Sequence, residues 1–456
     1  MNLNSVKGKN WISKEFNSDD INFLKTNYFL DEIIAKLISI RKIKKEDIKL
    51  FLNPSIKNVL PNPFILKDMD KAISRTATAI LRNEKIGVFG DYDVDGATST
   101  AILSQYFRSL QINSEIHIPD RKSEGFGPNK KAFGKFIKQG VSLIFTVDCG
   151  TLSYEPMDFA KGKNVDVIIL DHHQSEIKLP NAHSIVNPNR FDDRSELNYL
   201  CAAGVCFLFL IALNKKLREE NWFKLKNINE PDLLNILDLV SLGTVCDVVP
   251  LIGLNRAIVS QGLKVLKRKK NLGLKTLIET NNIEHNLTTY HLGYVIGPRI
   301  NAGGRVGKSS HGASLLLNEN ARETFKLATE LNDYNKERQI LEGELLNKIL
   351  NTNYQNNLDP VIILHGENWH EGIIGIIAAR VKEKFNKPTI IISVDSGIGK
   401  GSARSINGFD IGTMIISAVQ NNILIKGGGH KMAAGFSIDI KKIEEFKDFV
   451  VRNFKS

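Results

Sequence analysis

The sequence predicts an α/β protein in which a parallel-sheet domain is joined by a long helical connector to a smaller α/β domain. Three observations carry this reading. Short apolar runs, IGVF (86–89), VSLIFTV (141–147) and VDVIIL (165–170), recur between helical or loop segments, the rhythm of buried strands in a doubly wound parallel sheet. Residues 311–352 contain no proline and repeat apolar side chains at helical spacing. After Asn351 a second alternation begins with VIILHG, IIGIIAARVKEKF and PTIIIS.

Taken in order, residues 1–80 form a mixed helix-and-loop lead-in. The prolines of FLNPSIKNVLPNPFIL interrupt it, and DMDKAISRTATAILRN makes a helix that runs into the first strand. Residues 81–310 hold the parallel sheet. Within them LCAAGVCFLFLIAL (200–213) is too short to span a bilayer and reads as a buried helix, and 231–245 reads as helical. Residues 311–352 supply one or two connecting helices, and 353–456 the second domain, with WHEGIIGIIAARV as a helix packed on its sheet. No internal repeat or low-complexity tract interrupts this order.

The balance of 61 Lys+Arg against 50 Asp+Glu gives a net charge of +11, which fits an anionic partner such as nucleic acid, or equally a Lys-, Ile- and Asn-rich coding bias. A hydrophobic share of 42% excludes disorder as the main description. Cys149, Cys201, Cys206 and Cys246 make no CxxC, so neither a zinc ribbon nor a disulfide framework is expected. MNLNSVKGKNWISKEF offers no apolar core for a secretion signal, and the expected location is the cytoplasm, with no membrane span.

The carboxylates are the most informative feature. IGVF leads into Asp91, Asp93 and Asp95, VSLIFTV into Asp148, VDVIIL into Asp171-His172-His173, and LVSLGTV, a strand or a helix, into Cys246-Asp247. Ligands of open α/β sheets bind outside the carboxyl ends of the strands. One crevice is therefore expected to gather Asp91, Asp93, Asp95, Asp148, His172, His173 and Asp247. So much negative charge calls for divalent cations, and carboxylates with imidazole suit Mn²⁺ or Mg²⁺. Two such ions about 3.5–4 Å apart are the apparatus of phosphoryl hydrolysis. A calcium loop is excluded, because position twelve counted from Asp91 is Ile102 and not Glu.

GDYDVDG, TVDCG, LDHHQ and GTVCDVVPL resemble, in order and spacing, the four motifs of the DHH phosphoesterase superfamily. IPDR (118–121), GPRINAGGR (297–305), GSARS (401–405) and GGGHKMAAGF (427–436) extend the resemblance to its single-strand-specific exonuclease branch. The resemblance implies a DHH domain and a DHH-associated domain acting in DNA recombination and repair. Such an enzyme hydrolyses single-stranded DNA 5′→3′ to nucleoside 5′-monophosphates with two divalent cations, Mn²⁺ or Mg²⁺. It implies Asp93, Asp95, Asp148, His172 and Asp247 as metal ligands, with Asp148 the bridge and Asp91 a weaker ligand. Asp148, His172 and His173 would be the catalytic groups, with His173 facing the phosphate. Phe89 stands where many members carry a further histidine, which implies one poorer metal site. It further implies a monomer working with a helicase and a single-strand-binding protein. The oligonucleotide-binding barrel usual after the GGGH region is expected to be absent, because the chain stops at Ser456.

Phosphates beyond the scissile one need holders. Arg121 opens a stretch, 121–138, with six basic residues and one acid, either a phosphate track or a solvated surface. Arg299, Asn301 and Arg305 join guanidinium forks to glycine-rich backbone, which suits bidentate phosphate contact and close backbone approach. Ser402 and Arg404 lie on one side of an extended chain, and by resemblance form a pocket for a 5′-terminal phosphate. Gly429 offers backbone and His430 an anion partner. His370-Glu371 lacks the second His of a zinc-protease helix, and Lys264–Lys270 reads as a solvated helix face. The rival functions are another DHH phosphoesterase, acting on oligoribonucleotides or cyclic dinucleotides, and a non-hydrolytic DNA-binding scaffold. DYDVDG, the long connector and GSARS speak against the first. The presence of every motif acid and both histidines speaks against the second.

Overall fold

Strands that are apolar on both faces can be buried only between two layers of helix, and the chain alternates accordingly. The computed structural model describes residues 3–4, 10–121, 123–283, 286–351 and 359–454. Lys122 of the basic stretch and the expected boundary between connector and second domain at 352 and 353 lie outside the described residues.

Strands β1 (Lys85–Gly90), β2 (Ser114–His117), β3 (Val141–Val147), β4 (Asp166–Leu170) and β5 (Ser184–Val186) pair in parallel in the order β2-β1-β3-β4-β5. Their register sets up the site. Gly90 is paired with Val147, Val147 with Leu170, and Leu170 with Val186, so four strands end on one line. The residues that follow these ends, Asp91, Asp148, Asp171 and Asn187, therefore emerge side by side.

Helix α1 (Val94–Ser109) starts directly above this line and is buried through most of its length. Helices α2 (Ala202–Glu219) and α3 (Leu237–Cys246) enclose it. The apolar run in α2 is buried as expected. Phe207 and Phe209 are among its fully buried side chains, and each large apolar group stabilises the fold by roughly 1.5–3 kcal/mol. The segment leading to Asp247 is thus a helix, the second of the two options the sequence leaves open. GPRINAGGR also forms a helix, α4 (Gly297–Val306), begun by Pro298 in its first turn.

Residues 311–352 resolve into a short helix, His311–Leu317, and the long α5 (Ala321–Asn351), separated where Asn320 caps the amides of Arg322 and Glu323. The first half of α5 packs against α4, and Leu345 and Ile349 near its end join the core of the second sheet.

That second sheet is mixed. β6 (Ile362–Glu367), β7 (Thr389–Asp395), β8 (Ile398–Arg404), β9 (Lys426–His430) and β10 (Ala433–Asp439) are ordered β9-β10-β8-β7-β6, and only β6 and β7 run parallel. Alternation along β7 sends Ile391 to one face, where α6 (Ile374–Phe385) and the end of α5 cover it. Ile390 and Ile392 go to the other, under α7 (Ile411–Gln420) and α8 (Ile443–Phe454). Among the described residues no helix is long and apolar enough to cross a membrane.

Candidate active site

Each strand end turns its first residues into a different kind of ligand. After β1, Asp91 is buried and its Oδ1 has no hydrogen-bond partner among the described residues. Asp93 caps α1, accepting from the Gly96 amide at 3.0 Å. Asp95, two residues on in the first turn of α1, points back toward α2, whose Ala202 and Ala203 amides donate to its two oxygens at 2.7 and 3.0 Å. The positive end of a helix thus holds a carboxylate that is otherwise sealed from water. This proximity requires Gly243 on α3, where a Cβ would stand 2.7 Å from Asp95 Oδ1 and 2.6 Å from Thr98 Oγ1. After β3, Asp148 adopts a left-handed conformation with φ of 59°, a backbone cost of order 1 kcal/mol characteristic of functional sites. Asp247 follows the last residue of α3, and its Oδ2 is also buried without a hydrogen-bond partner among the described residues.

The two histidines after β4 divide the work. His172 Nε2 lies 3.3 Å from Asp148 Oδ1, 3.6 Å from Asp247 Oδ2 and 3.8 Å from Asp95 Oδ2. His173 turns its Nδ1 to Asp171 Oδ1 at 2.8 Å, which leaves Nε2 directed away from that carboxylate. Asp171 also accepts from the amides of His172, His173 and Thr151. Asn187 and Asn189 hold the carbonyls of His173 and His172.

Electrostatics show a site with unmet demand. Burial first, then the neighbouring acids, pushes Asp91 and Asp148 well above the usual carboxylate range, and Asp247 up to about 8. Burial acts the same way on Asp171, but the charges and hydrogen bonds of His173 and His172 overrule it and hold Asp171 low. Burial alone would lower His173, yet Asp171, with Asp93 and Asp247 beyond, raises it to about 9.

Three groups each bring their ligand atoms within 4.8 Å of one another: Asp91, Asp93 and Asp148; Asp95, His172 and Asp247; and Asp148, His172 and His173. All donors are carboxylate oxygen or imidazole nitrogen, and two of the oxygens are orphaned. The residues present therefore fit hard divalent cations. Every acid and histidine expected from the sequence is in this cluster. Phe89, at the departing position, is fully buried against the rings of Phe133 and His117.

The expected anion holders separate into two sets. Arg121 lies over the Tyr92 ring at 5.5 Å, and its amide binds Ser309. Arg305 donates to the Gly372 carbonyl at 3.2 Å, across to the second sheet's side. It is lowered to about 10 by burial and by Arg121, Arg338 and Arg404. Arg404 reaches Ser402 Oγ at 3.2 Å, and a Cβ on Gly375, in the first turn of α6, would stand 3.0 Å from both. Arg121, Arg305 and Arg404 therefore form one basic line from the acids to the start of α6.

The remaining holders do not join it. Arg299 is engaged by Asn332 and Val295, both at 2.6 Å. Asn301 lies half-buried on α4, and no hydrogen bond or ion pair among the described residues ties either one to the acids. The glycines of α4 receive protein and not phosphate: Gly304 accommodates Tyr92, and Gly303 accommodates Leu331 and Lys308. His430 and Gly429 lie on the exposed edge strand β9. The bare Cα of Gly429 serves the close approach of Ala433 and Ala434, and it is Gly428 that faces open space. His370 and Glu371 precede α6, and His370 Nδ1 accepts from the Gly372 amide.

Asp171, Asn187, Asn189 and Gly243 complete the site without having been singled out as site residues. Asn187 was reachable by the same strand-end rule, but its strand, Ser184–Val186, is only three residues long.

The DHH family, N-terminal domain, matches residues 85–244, and the DHHA1 domain matches 358–456. A single-stranded-DNA-specific exonuclease RecJ of Salmonella typhimurium is 36% identical over 407 residues, covering 87% of this chain and 70% of the relative. RecJ of Bacillus subtilis is 34% identical over 444 residues, and this chain spans 54% of its length. The crystal structure of Thermus thermophilus RecJ in complex with Mn²⁺ superposes with a TM-score of 0.81 at 29% identity, over 96% of this chain and 61% of that one. The chain belongs to the RecJ family of single-stranded-DNA-specific exonucleases.

Proposed function

We propose that the chain hydrolyses single-stranded DNA from the 5′ end, releasing nucleoside 5′-monophosphates. The observation that carries the reading is the line of strand ends, which sets Asp91, Asp148 and the Asp171-His172-His173 turn side by side, with Asp247 closing the cluster opposite. Asp91, Asp93, Asp95, Asp148, His172 and Asp247 would hold Mn²⁺ or Mg²⁺, as relatives solved with these ions suggest. Such ions supply Lewis acidity at the phosphodiester and a nucleophile from water at neutral pH.

The protein's own groups do the rest. Asp171 locks the His173 ring so that its free Nε2 donates a hydrogen bond to a phosphate oxygen as negative charge develops there. The basic line of Arg121, Arg305 and Arg404, with Ser402, holds a 5′-terminal phosphate bidentately and sets polarity. His430, Gly429 and the open Gly428 would flank the strand as it leaves. Arg299 keeps a supporting role in holding α4 against α5 through Asn332. By family resemblance the protein would be a cytoplasmic monomer working with a helicase and a single-strand-binding protein.

The test is a digestion with Mn²⁺ of three 5′-phosphorylated substrates: a long single strand, its blunt duplex and a dinucleotide. The expected result is mononucleotide release from the 5′ end of the single strand, with the duplex resistant. Equal degradation of the blunt duplex contradicts strand specificity, and preference for the dinucleotide favours an oligoribonuclease-like enzyme.

A further inference from the structure

The helix Met69–Leu81 is pinned to the parallel sheet by an arginine at each end of the strands. At the amino end, Arg75 donates to Glu84 at 2.6 Å and to Asp166, the first residue of β4. At the carboxyl end, Asp68 and Arg190 form the second pin. Asp68 occupies the N-cap position of the helix with a left-handed φ of 62°. Its carboxylate could cap that helix, yet among the described residues it accepts from none of the helix's own amides. It accepts instead from Arg190 Nη1 at 2.6 Å and from the Ile185 amide at 3.3 Å. Burial opposes charge on Asp68, and Arg190 overrules it, holding the carboxyl below its usual range.

The Arg190 side chain is only 5% exposed, and each of its three nitrogens is engaged. Nη1 also donates to the Ile185 carbonyl at 2.6 Å, while Nε and Nη2 hold the two oxygens of Asp192, each at 2.8 Å. This pin closes on the turn that carries the site's two asparagines. The Arg190 amide donates to the Asn187 carbonyl at 3.3 Å, closing Asn187-Pro188-Asn189-Arg190 with proline in the second place. From that turn Asn187 reaches the His173 carbonyl at 2.8 Å, and Asn189 reaches the His172 carbonyl. The Lys67 amide binds Asp193 at 2.9 Å, so the segment is held again just beyond the turn. Among the described residues no hydrogen bond or ion pair ties Arg190 to the cluster acids. A buried ion pair is weak evidence of a stability role, because an apolar pair of similar size often serves as well. What an apolar pair cannot reproduce is direction. A guanidinium fork gripped by two carboxylates and a carbonyl admits one geometry of the turn.

We infer that Arg190 is a positioning residue for hydrolysis: clamped by Asp68 and Asp192, it sets the turn 187–190, whose asparagines fix the carbonyls of His172 and His173 and so the aim of both imidazoles. This deepens the exonuclease reading and rests on it, since the two rings matter to catalysis only if the cluster holds the ions and the phosphate. Arg75 grips the same helix with the same chemistry at the opposite end of the strands, where its loss moves neither histidine.

The experiment compares the wild type with Arg190→Met, Arg190→Lys and the matched control Arg75→Met. Circular dichroism and Tm report folding, and kcat and KM are read on 5′-phosphorylated single-stranded DNA with Mn²⁺. The affinity for Mn²⁺ and the electron paramagnetic resonance line of the bound ion are read without DNA. Arg190→Met should lower kcat about 10–100-fold with KM for DNA unchanged, weaken Mn²⁺ binding about tenfold and alter the resonance line. Arg190→Lys keeps the charge but loses the fork, and should show a smaller loss of kcat and an altered line at nearly the wild-type Tm. Arg75→Met should lower Tm while leaving kcat and the line as in the wild type. Where Arg190→Met does not fold, Arg190→Lys decides. Equal losses of kcat in Arg190→Met and Arg75→Met, or wild-type kcat and line in folded Arg190→Lys, overturn the assignment. A wild type that binds Mn²⁺ without cleaving DNA removes the exonuclease reading. A line altered in Arg190→Lys and not in Arg75→Met then retains the positioning role, and identical lines overturn it.

Discussion

His173 Nδ1 stands 2.8 Å from Asp171 Oδ1, and the same oxygen receives the amides of both histidines. One buried carboxylate therefore sets the ring's orientation, its donor nitrogen and the shape of the turn that also presents His172. Asp171 touches no substrate in this arrangement and acts by positioning.

Substituting Asp171→Asn keeps the shape and weakens the charge. Cleavage should fall about 10–100-fold, the usual cost of losing a supporting partner of a catalytic or ligating histidine. Steady-state rates on single-stranded DNA, with folding checked by circular dichroism, measure this. An unchanged rate would mean that the turn is held by Asn187 and Asn189 alone.

Clustered buried carboxylates without a counter-charge destabilise the fold, so ions should bind the native state strongly. At a hundredfold excess over Kd, binding stabilises by about 2.7 kcal/mol, which for a chain of this length unfolding as one unit corresponds to a rise in Tm of roughly 3 °C. Thermal unfolding of chelator-treated protein with and without Mn²⁺ measures the shift, and Asp148→Asn should show little of it.

Gly243 admits Asp95 to its helix-end pocket. Gly243→Ala places a methyl group against Asp95 Oδ1 and Thr98 Oγ1, and should cost about 1–3 kcal/mol by overpacking. Denaturant unfolding gives this number, and the metal-induced rise in Tm should shrink with it. A variant as stable as the wild type would show that α3 can move away from α1.

Asp238, in the first turn of α3 and away from the metal cluster, is raised by burial from 3.8 to about 6. The folded protein holds this proton more tightly than the unfolded chain, so its contribution to stability falls as pH rises from about 4 to about 6 and is level above. Asp238→Asn removes the penalty and should be more stable than the wild type at pH 7 by about 2–3 kcal/mol, with the difference vanishing near pH 4. Urea unfolding of both proteins at the two pH values measures it.

The ligand acids were legible because each apolar run ended directly in them, and a parallel sheet aligns such ends by register alone. Asp247 was legible as a ligand, but its element stayed ambiguous, since an apolar run of ten residues suits a strand or a buried helix equally. The α4 segment misled in one respect. Its glycines pointed to phosphate approach, whereas Gly304 receives Tyr92, a side chain some two hundred positions earlier in the chain, and Gly303 receives Leu331 and Lys308. Arg299 misled likewise, because Asn332, which engages it, is 33 residues away and leaves no local mark. Arg305 could be read as basic, but not as the midpoint of a line joining Arg121 to Arg404. That line depends on how the second sheet meets the first.

The central claim is that the aligned strand ends form a metal-dependent exonuclease site, and Asp148, a member of two of the three ligand groups, tests it most directly. Wild type and Asp148→Asn should be compared on 5′-phosphorylated single-stranded DNA with Mn²⁺, following product length by gel and DNA binding by anisotropy. The account predicts 5′-mononucleotides from the wild type, and from the variant undiminished binding with cleavage reduced to background. Cleavage by Asp148→Asn at the wild-type rate would contradict it.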